Sequence, residues 1–512
     1  MSQPLSQTEP DTAPAAQTAS DPAPRATLHT TTSLCRDCKH AVPARVVDRD
    51  GEVWMEKQCP EHGAQEVRLS TDADWYRRNR AIEPRLVPPR ATPVEVDQGC
   101  PFDCGACTAH QAAVRLPVVT ITSACNLDCP ICYVHNKNKD PYNMSREHMA
   151  AILDHLAAEH GGDIDIVNLT GGEPTLHPEL LDFVQMARDA GVHRVSVCTN
   201  GIRLAKDEEL VKRFAELGVR VALSFDSFEE DADYLLQGAH LLAIKQRVMD
   251  LLEEHQVDCT LIPVMTKGVN DHEVGQIIEY ALGKRCVRHL EIHTMTYTGQ
   301  SGASFDRSGR ISMVEVLDQI AATTGGLLGR DDFVPSPCAH PLCYQIAYLL
   351  VDPDGGPDSP PIPLTRLIDR ATLYESLSER LYLEPSPRLE AALSDAINRL
   401  WAEDDPDAAP ALASLRKLLL DMFPPDRALT QDESLRVSER WFKAIYIHSH
   451  MDEETFDVER VVQCCDSNCY PDGTSVPVCS YNVLYRETEQ HFMMKPAPRV
   501  KRRGGHLFPI LS

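Results

Sequence analysis

The chain has 512 residues, 43% of them hydrophobic, enough for two or three globular domains each with its own core. Fifty Lys and Arg stand against 76 Asp and Glu, a formal net charge of −26 that argues against non-specific binding to nucleic acid or to an anionic membrane surface. No apolar run approaches the roughly eighteen residues of a spanning helix, and the first thirty residues lack the apolar core of a signal peptide. Eighteen cysteines in such a chain are therefore expected to bind metal rather than to pair as disulfides, in a cytoplasmic protein.

In chain order, residues 1–28 are rich in Ala, Pro, Ser and Thr and are expected to be disordered. Residues 29–112 form a metal-binding module. Cys35 and Cys38 precede an alternating hairpin over 44–55 that turns at Asp50-Gly51, and Cys59-Pro60-Glu61-His62-Gly63 follows. Two cysteine knuckles joined by a hairpin make a metal ribbon for zinc or for one iron; its three thiols are one short of a tetrahedral site, so His62 or a distant group must complete it. Next, Cys100, Cys104 and Cys107 stand at four-then-three spacing and are expected to hold an auxiliary cluster completed by a distant cysteine.

Residues 113–300 alternate strand-like and helix-like stretches, the pattern of a parallel sheet with crossover helices. Strands are expected at 116–121, 165–169, 194–198, 219–225, 259–265 and 289–295; Ser145 is a plausible N-cap for a helix whose Met149, Ile152, Leu153 and Leu156 share one face. Directly after the first strand, Cys125, Cys129 and Cys132 repeat the four-then-three spacing. Three thiolates on one loop can hold three irons of a four-iron, four-sulfur cube and leave the fourth open; a zinc knuckle is the plainer alternative. After the second strand comes Thr170-Gly171-Gly172-Glu173-Pro174.

Residues 301–490 are less regular. Leu389, Leu393, Ile397, Leu400, Leu415, Leu418 and Leu419 mark a helical region and are expected to be core. Cysteines return at Cys338, Cys343, Cys464, Cys465, Cys469 and Cys479, and Cys343, Cys464, Cys465 and Cys479 are expected to supply missing metal ligands. Cys198, Cys259 and Cys286 lie in apolar stretches and read as small core residues. The tail, 491–512, runs from basic (Lys495, Arg499, Lys501, Arg502, Arg503) to apolar (Leu507, Phe508, Ile510, Leu511), an order that suits peripheral contact with a membrane or, more simply, a solvated end.

The cysteine loop together with the Gly-Gly-Glu run resembles the radical S-adenosylmethionine (SAM) superfamily. The resemblance implies an α/β fold, a partial (β/α)6 radical SAM barrel with an N-terminal cysteine ribbon and a C-terminal cluster-binding α+β extension. It implies that Cys125, Cys129 and Cys132 carry the catalytic 4Fe-4S cluster, that SAM chelates its open iron, and that Gly171, Gly172 and Glu173 receive the SAM amino group. Asn200 and Asp226, with Ser224, stand at strand ends where adenosine and ribose contacts are expected, although turn and cap roles suit them equally. Cys-Pro-Glu-His-Gly, Gly99 to Cys107, the 267–271 and 363–366 runs and Pro477 to Asn482 extend the resemblance to the family of the archaeal tetraether lipid synthase, whose members were earlier described as dihydropterin methyltransferases. That implies three 4Fe-4S clusters, one mononuclear iron or zinc, and a reductant such as ferredoxin or flavodoxin. Three functions follow: carbon-carbon coupling of lipid tails as the leading expectation, methylation of a reduced pterin as the alternative, and an electron-transfer scaffold as the third, against which the Gly-Gly-Glu run speaks.

Overall fold

In the computed structural model, residues 26–134, 141–355, 359–377, 382–402 and 409–486 are described. Most of the 1–28 extension and all of the 491–512 tail lie outside these residues, and so does the reading of that tail as a membrane contact.

The ribbon is a four-stranded antiparallel meander, β1 (Ala26–Leu34), β2 (Ala41–Arg49), β3 (Glu52–Cys59) and β4 (Gly63–Ser70). Residues 26–28, expected to be disordered, belong to β1. The turn between β2 and β3 has positive φ at both Asp50 (54°) and Gly51 (87°), the handedness that a two-residue hairpin between twisted strands requires. Alternation puts Ala44, Val46, Val53 and Met55 inside. The Lys57 ammonium, 5% exposed, then ties the ribbon to the rest of the chain by donating to Ser33 Oγ, Leu34 O, Glu453 O and Glu454 O at 2.7–3.2 Å.

The remaining strands form one sheet. They are β5 (Leu116–Thr122), β6 (Ile164–Gly171), β7 (Val192–Thr199), β8 (Val219–Ser224), β9 (Cys259–Ile262), β10 (Val264–Met265), β11 (Val287–Thr294), β12 (Val334–Pro335), β13 (Tyr344–Leu350), β14 (Ile362–Pro363), β15 (Phe442–His448), β16 (Asp466–Cys469) and β17 (Ser475–Pro477). The order is β12-β13-β15-β11-β9-β8-β7-β6-β5-β16-β17, with β10 on β11 and β14 on β13. The strand expected over 259–265 is split at Pro263, which has no N–H to give to a ladder.

The six expected parallel strands are present and run side by side, but the C-terminal region does not stand apart as an extension. β16 pairs in parallel with β5, and β15 in parallel with β11, so residues far along the chain widen the barrel at both flanks. The hydrogen-bonded path ends in β12 and β17 and is not closed among the described residues.

Helices cover the outer face. The helix Arg146–His160 begins where Ser145 Oγ accepts from His148 N and ends at Gly161 in the left-handed region (φ 70°), and it buries Met149, Ile152, Leu153 and Leu156. A second core gathers around β13 and β15, where Pro387–Ala402 and Ala409–Met422 bury Leu389, Leu393, Leu415 and Leu418 against Trp441 and Phe442.

Candidate active site and metal sites

The C-terminal ends of β5 and β6 are held backbone to backbone. Gly172 N donates to Thr122 O (2.8 Å) and Glu173 N to Ala124 O (2.6 Å). A β-carbon on Gly171 would strike the Thr122 carbonyl oxygen and one on Gly172 the Ala124 carbonyl oxygen, and Gly171 also has φ +152°. The glycines thus let the Gly-Gly-Glu loop lie directly against the start of the cysteine loop. Cys125, Cys129 and Cys132 then line the mouth of a cavity of about 350 Å³ together with Gly171, Gly172 and Glu173. Burial pushes the Cys125 thiol up to about 11 and holds Cys129 higher, so a metal is what would draw protons from these sulfurs.

Glu173, 1% exposed, is an internal brace. Its Oε1 accepts from Thr175 N (3.1 Å), Thr175 Oγ1 (2.6 Å) and Thr199 Oγ1 (2.7 Å), and its Oε2 from Asn200 N (2.8 Å). Asn200 Nδ2 in turn donates to Asn126 Oδ1 (2.7 Å), so the cysteine loop, β6 and β7 are joined through one carboxylate. Asp226 also lines the cavity, yet its Oδ1 accepts from Val264 N (2.8 Å) and its Oδ2 from Gln237 Nε2. Asn200 and Asp226 thus serve as brace residues at the cavity wall. Ser224 Oγ accepts from the buried Lys245 Nζ (2.9 Å).

Below the mouth, the inward positions of the strands are polar where a packed barrel would be apolar. Asn168, Ser196, Thr260 and Glu291 face the cavity, and Asp466 and Asn468 of β16 reach it from the flank. Cys198, expected as core, lines it too. Arg220, which lines the cavity, donates through Nη2 to Glu439 (2.5 Å), and Arg194 donates to the same carboxylate (2.5 Å) and lies 4.3 Å over the Tyr382 ring. His289 beside them is lowered to about 3 by burial and by Arg220 and stays neutral.

One wall is a histidine cluster that sequence reading passed over. His293, His448 and His450 bring their ring nitrogens within 4.8 Å of one another. Tyr344 stacks on His448 at 3.8 Å between centroids. Burial would raise Glu291, but His293 Nε2 (3.1 Å) and His448 Nδ1 (3.4 Å) hold it well below the usual carboxylate range. The signal was the alternation of Glu291 and His293 on β11, and of His448 with His450 at the end of β15; it went unread because neither strand's neighbour was known.

The other cysteines fall into distinct sets. Sγ of Cys35, Cys38 and Cys59 and a ring nitrogen of His62 all lie within 4.8 Å of one another, so His62 is the missing fourth ribbon donor. Cys100, Cys104 and Cys107 surround a small cavity whose other walls include Asp103, His110, Val461 and Pro477; among the described residues no late cysteine lines it, contrary to expectation. Cys343, Cys464 and Cys479 line another, with the Arg460 guanidinium 3.5 Å from Cys343 Sγ. Cys465 lines the same cavity as Cys464, and its sulfur also lies 3.9 Å from that of Cys338. Cys259, Cys286 and Cys469 are core.

The family model for the radical SAM superfamily matches residues 119–281, and that for the HMPTM N-terminal zinc ribbon domain matches 27–71. A 7,8-dihydro-6-hydroxymethylpterin dimethyltransferase of Methanocaldococcus jannaschii is 30% identical over 499 residues, 92% of this chain and 97% of that protein. The chain belongs to the radical SAM superfamily. A probable GTP 3′,8-cyclase of Saccharolobus islandicus is 29% identical over 181 residues, 34% of this chain and 56% of that protein. Among solved structures, native anSMEcpe with bound AdoMet aligns at a TM-score of 0.33 and 14% identity, covering 64% of this chain and 95% of that one. Streptococcus suis SuiB bound to S-adenosylmethionine aligns at 0.31 and 14%, covering 36% and 42%.

Radical SAM enzymes use a 4Fe-4S cluster and SAM, and the residues here suit both: three thiols on one loop at a cavity mouth, beside a backbone cradle that tolerates no β-carbon. No helix among the described residues is long and apolar enough to cross a membrane.

Proposed function

We propose that this radical SAM enzyme methylates a reduced pterin of the 7,8-dihydro-6-hydroxymethyl type. The observation that carries this reading is the set of polar groups that converge in the cavity among its apolar lining: the imidazoles of His289, His293 and His448, the carboxyl groups of Glu291 and Asp466, and the amides of Asn168 and Asn468. Convergent polar groups suit a compact heterocycle, whereas two lipid tails call for a long apolar run. The relative matched along nearly its whole length is named for a pterin. Lipid coupling, the leading expectation from sequence, gains no support from the matched relatives.

In this reading Cys125, Cys129 and Cys132 hold the catalytic cluster, and Gly171, Gly172 and Glu173 position SAM above it. That cluster, when bound, would supply the electron that cleaves one SAM to a 5′-deoxyadenosyl radical and methionine, which keeps its methyl group; the transferred methyl comes from a second SAM. The chain's own residues do the rest. The Glu173 brace fixes the cysteine loop against β7 through Asn200 and Asn126. The aromatic side chains of Tyr344, Tyr382 and Tyr446 keep solvent from the reacting carbon. Glu291, ionised between His293 and His448, accepts a hydrogen bond from a ring N–H of a bound heterocycle. Cys100, Cys104 and Cys107 hold a second cluster, Cys343, Cys464 and Cys479 a third, and the ribbon a zinc ion. A ferredoxin or flavodoxin supplies electrons.

The test is an anaerobic incubation of reconstituted enzyme with dithionite, SAM and 7,8-dihydro-6-hydroxymethylpterin, followed by mass spectrometry. A pterin heavier by one methylene, dependent on Cys129, is the expected product. Unchanged pterin, alongside coupled lipids when the chain is expressed in a host that lacks them, would replace this reading with lipid coupling.

A further inference from the structure

The strand β16 carries two polar side chains that nothing in the fold uses. Asp466 and Asn468 are two residues apart, so both project to the same face of the sheet, and both line the cavity. They are 8% and 4% exposed. Neither Oδ1 nor Nδ2 of Asn468, nor Oδ1 of Asp466, has a hydrogen-bond partner among the described residues. Buried polar groups are paired in folded proteins, and an orphaned one marks a strain site or a place for a ligand. Here an acceptor and a donor on one carboxamide are left open toward this cavity, and Asp466 beside them borders both it and the neighbouring pocket of Cys343, Cys464 and Cys479.

Their position is defined by pairing. Asn468 lies opposite Val118, and Asp466 opposite Leu116, at the start of β5. The strand rises about 3.3 Å per residue, so Asn468 sits roughly 13 Å and Asp466 roughly 20 Å below the Thr122 end where the cysteine loop begins. They face the cavity at the end remote from Glu173, with Asn168 in the same register row across Val118. A carboxamide with both functions free matches a cis-lactam, whose N–H and C=O are adjacent; a carboxylate next to it matches the exocyclic amine of an amidine. No braced cap or turn requires either group.

Resting on the pterin reading above, we infer that Asn468 and Asp466 form the recognition edge of the substrate cavity: they take the lactam-amidine side of the heterocycle and leave its other ring toward the cysteine loop. Asn468 makes the pair of bonds to the lactam, and Asp466 accepts from the exocyclic amine. They are specificity residues; neither touches SAM.

The experiment compares wild type, Asn468→Leu and Asp466→Asn, all with clusters reconstituted, by anaerobic equilibrium dialysis of 7,8-dihydro-6-hydroxymethylpterin and of 2,4-diaminopteridine, in which an amine replaces the lactam carbonyl. Wild type should prefer the lactam. Asn468→Leu should weaken pterin binding at least tenfold and erase the preference, while SAM-dependent 5′-deoxyadenosine release without substrate and the iron content are retained. Its melting temperature should not fall, since the leucine leaves no orphaned amide; a structural asparagine would lower it. Equal pterin affinity in wild type and Asn468→Leu would overturn the inference, as would wild type that binds neither compound. A change in the reduced cluster spectrum of Asp466→Asn would overturn the part given to Asp466 by making it an iron neighbour instead. Wild type that binds the lactam through Asn468 but does not methylate it would sustain the inference and sink the methylation reading.

Discussion

Replacing Glu173 by alanine separates two ideas of what this carboxylate does. If it served only as a ligand for SAM, its removal would weaken SAM binding and leave the fold intact. Its hydrogen bonds say otherwise: four donors converge on it, two of them the backbone N–H groups of Thr175 and Asn200 and two the hydroxyls of Thr175 and Thr199. The hydroxyls can rotate to new partners, but the two backbone donors cannot, and each left unpaired in a buried site costs about 1–3 kcal/mol. The expected destabilisation is therefore about 4 kcal/mol. At about 2.1 cal/mol/K per residue over roughly 450 ordered residues, the unfolding entropy is about 1 kcal/mol/K, which converts that loss to a fall in Tm of about 4 °C. Glu173→Gln keeps an acceptor oxygen for three of the four donors and should recover more than half of the loss. The assay is anaerobic differential scanning fluorimetry of the reconstituted protein, paired with equilibrium dialysis of SAM. Affinity for SAM should fall together with Tm in the alanine variant, because the brace also positions Asn126 in the cysteine loop. A Glu173→Ala protein that melts within about 1 °C of wild type while losing SAM affinity would refute the brace.

Cys129→Ala should abolish dithionite-dependent 5′-deoxyadenosine release, measured by chromatography; release at the wild-type rate would misplace the catalytic cluster. Gly172→Ala should reduce iron incorporation and SAM affinity together, because its β-carbon meets the Ala124 carbonyl rather than a movable side chain. Metal analysis should find clearly more than the roughly four irons of one cube and one zinc per chain; His62→Ala should lose the zinc with the iron unchanged, and iron at four would reduce the auxiliary sites to zinc. Lys57→Met should destabilise by about 3 kcal/mol, since three carbonyls and one hydroxyl lose a shared donor, and limited proteolysis should then release the ribbon; unaltered cleavage would show the ribbon docked by other contacts.

Sequence alone determined what depends on short-range pattern. The four-then-three cysteine spacing, the Gly-Gly-Glu run, the Asp50-Gly51 hairpin and the Ser145 cap are local, because the residues that must cooperate lie within one loop or one helical turn. The six core strands were legible for the same reason: each buries apolar residues such as Val195, Val197, Leu290 and Ile292 in the core, and each is followed by its own helix. Only the tertiary structure decided what joins distant segments. No pattern places β15 beside β11 or β16 beside β5, since parallel neighbours can come from anywhere in the chain, so the C-terminal region read as an appendage when it builds two flanks of the barrel. The same pairing brings Glu291 to His448 and turns Asp466 and Asn468 inward. A side chain's face on a strand is fixed by register, and register is a property of two strands, one of which the local sequence does not contain.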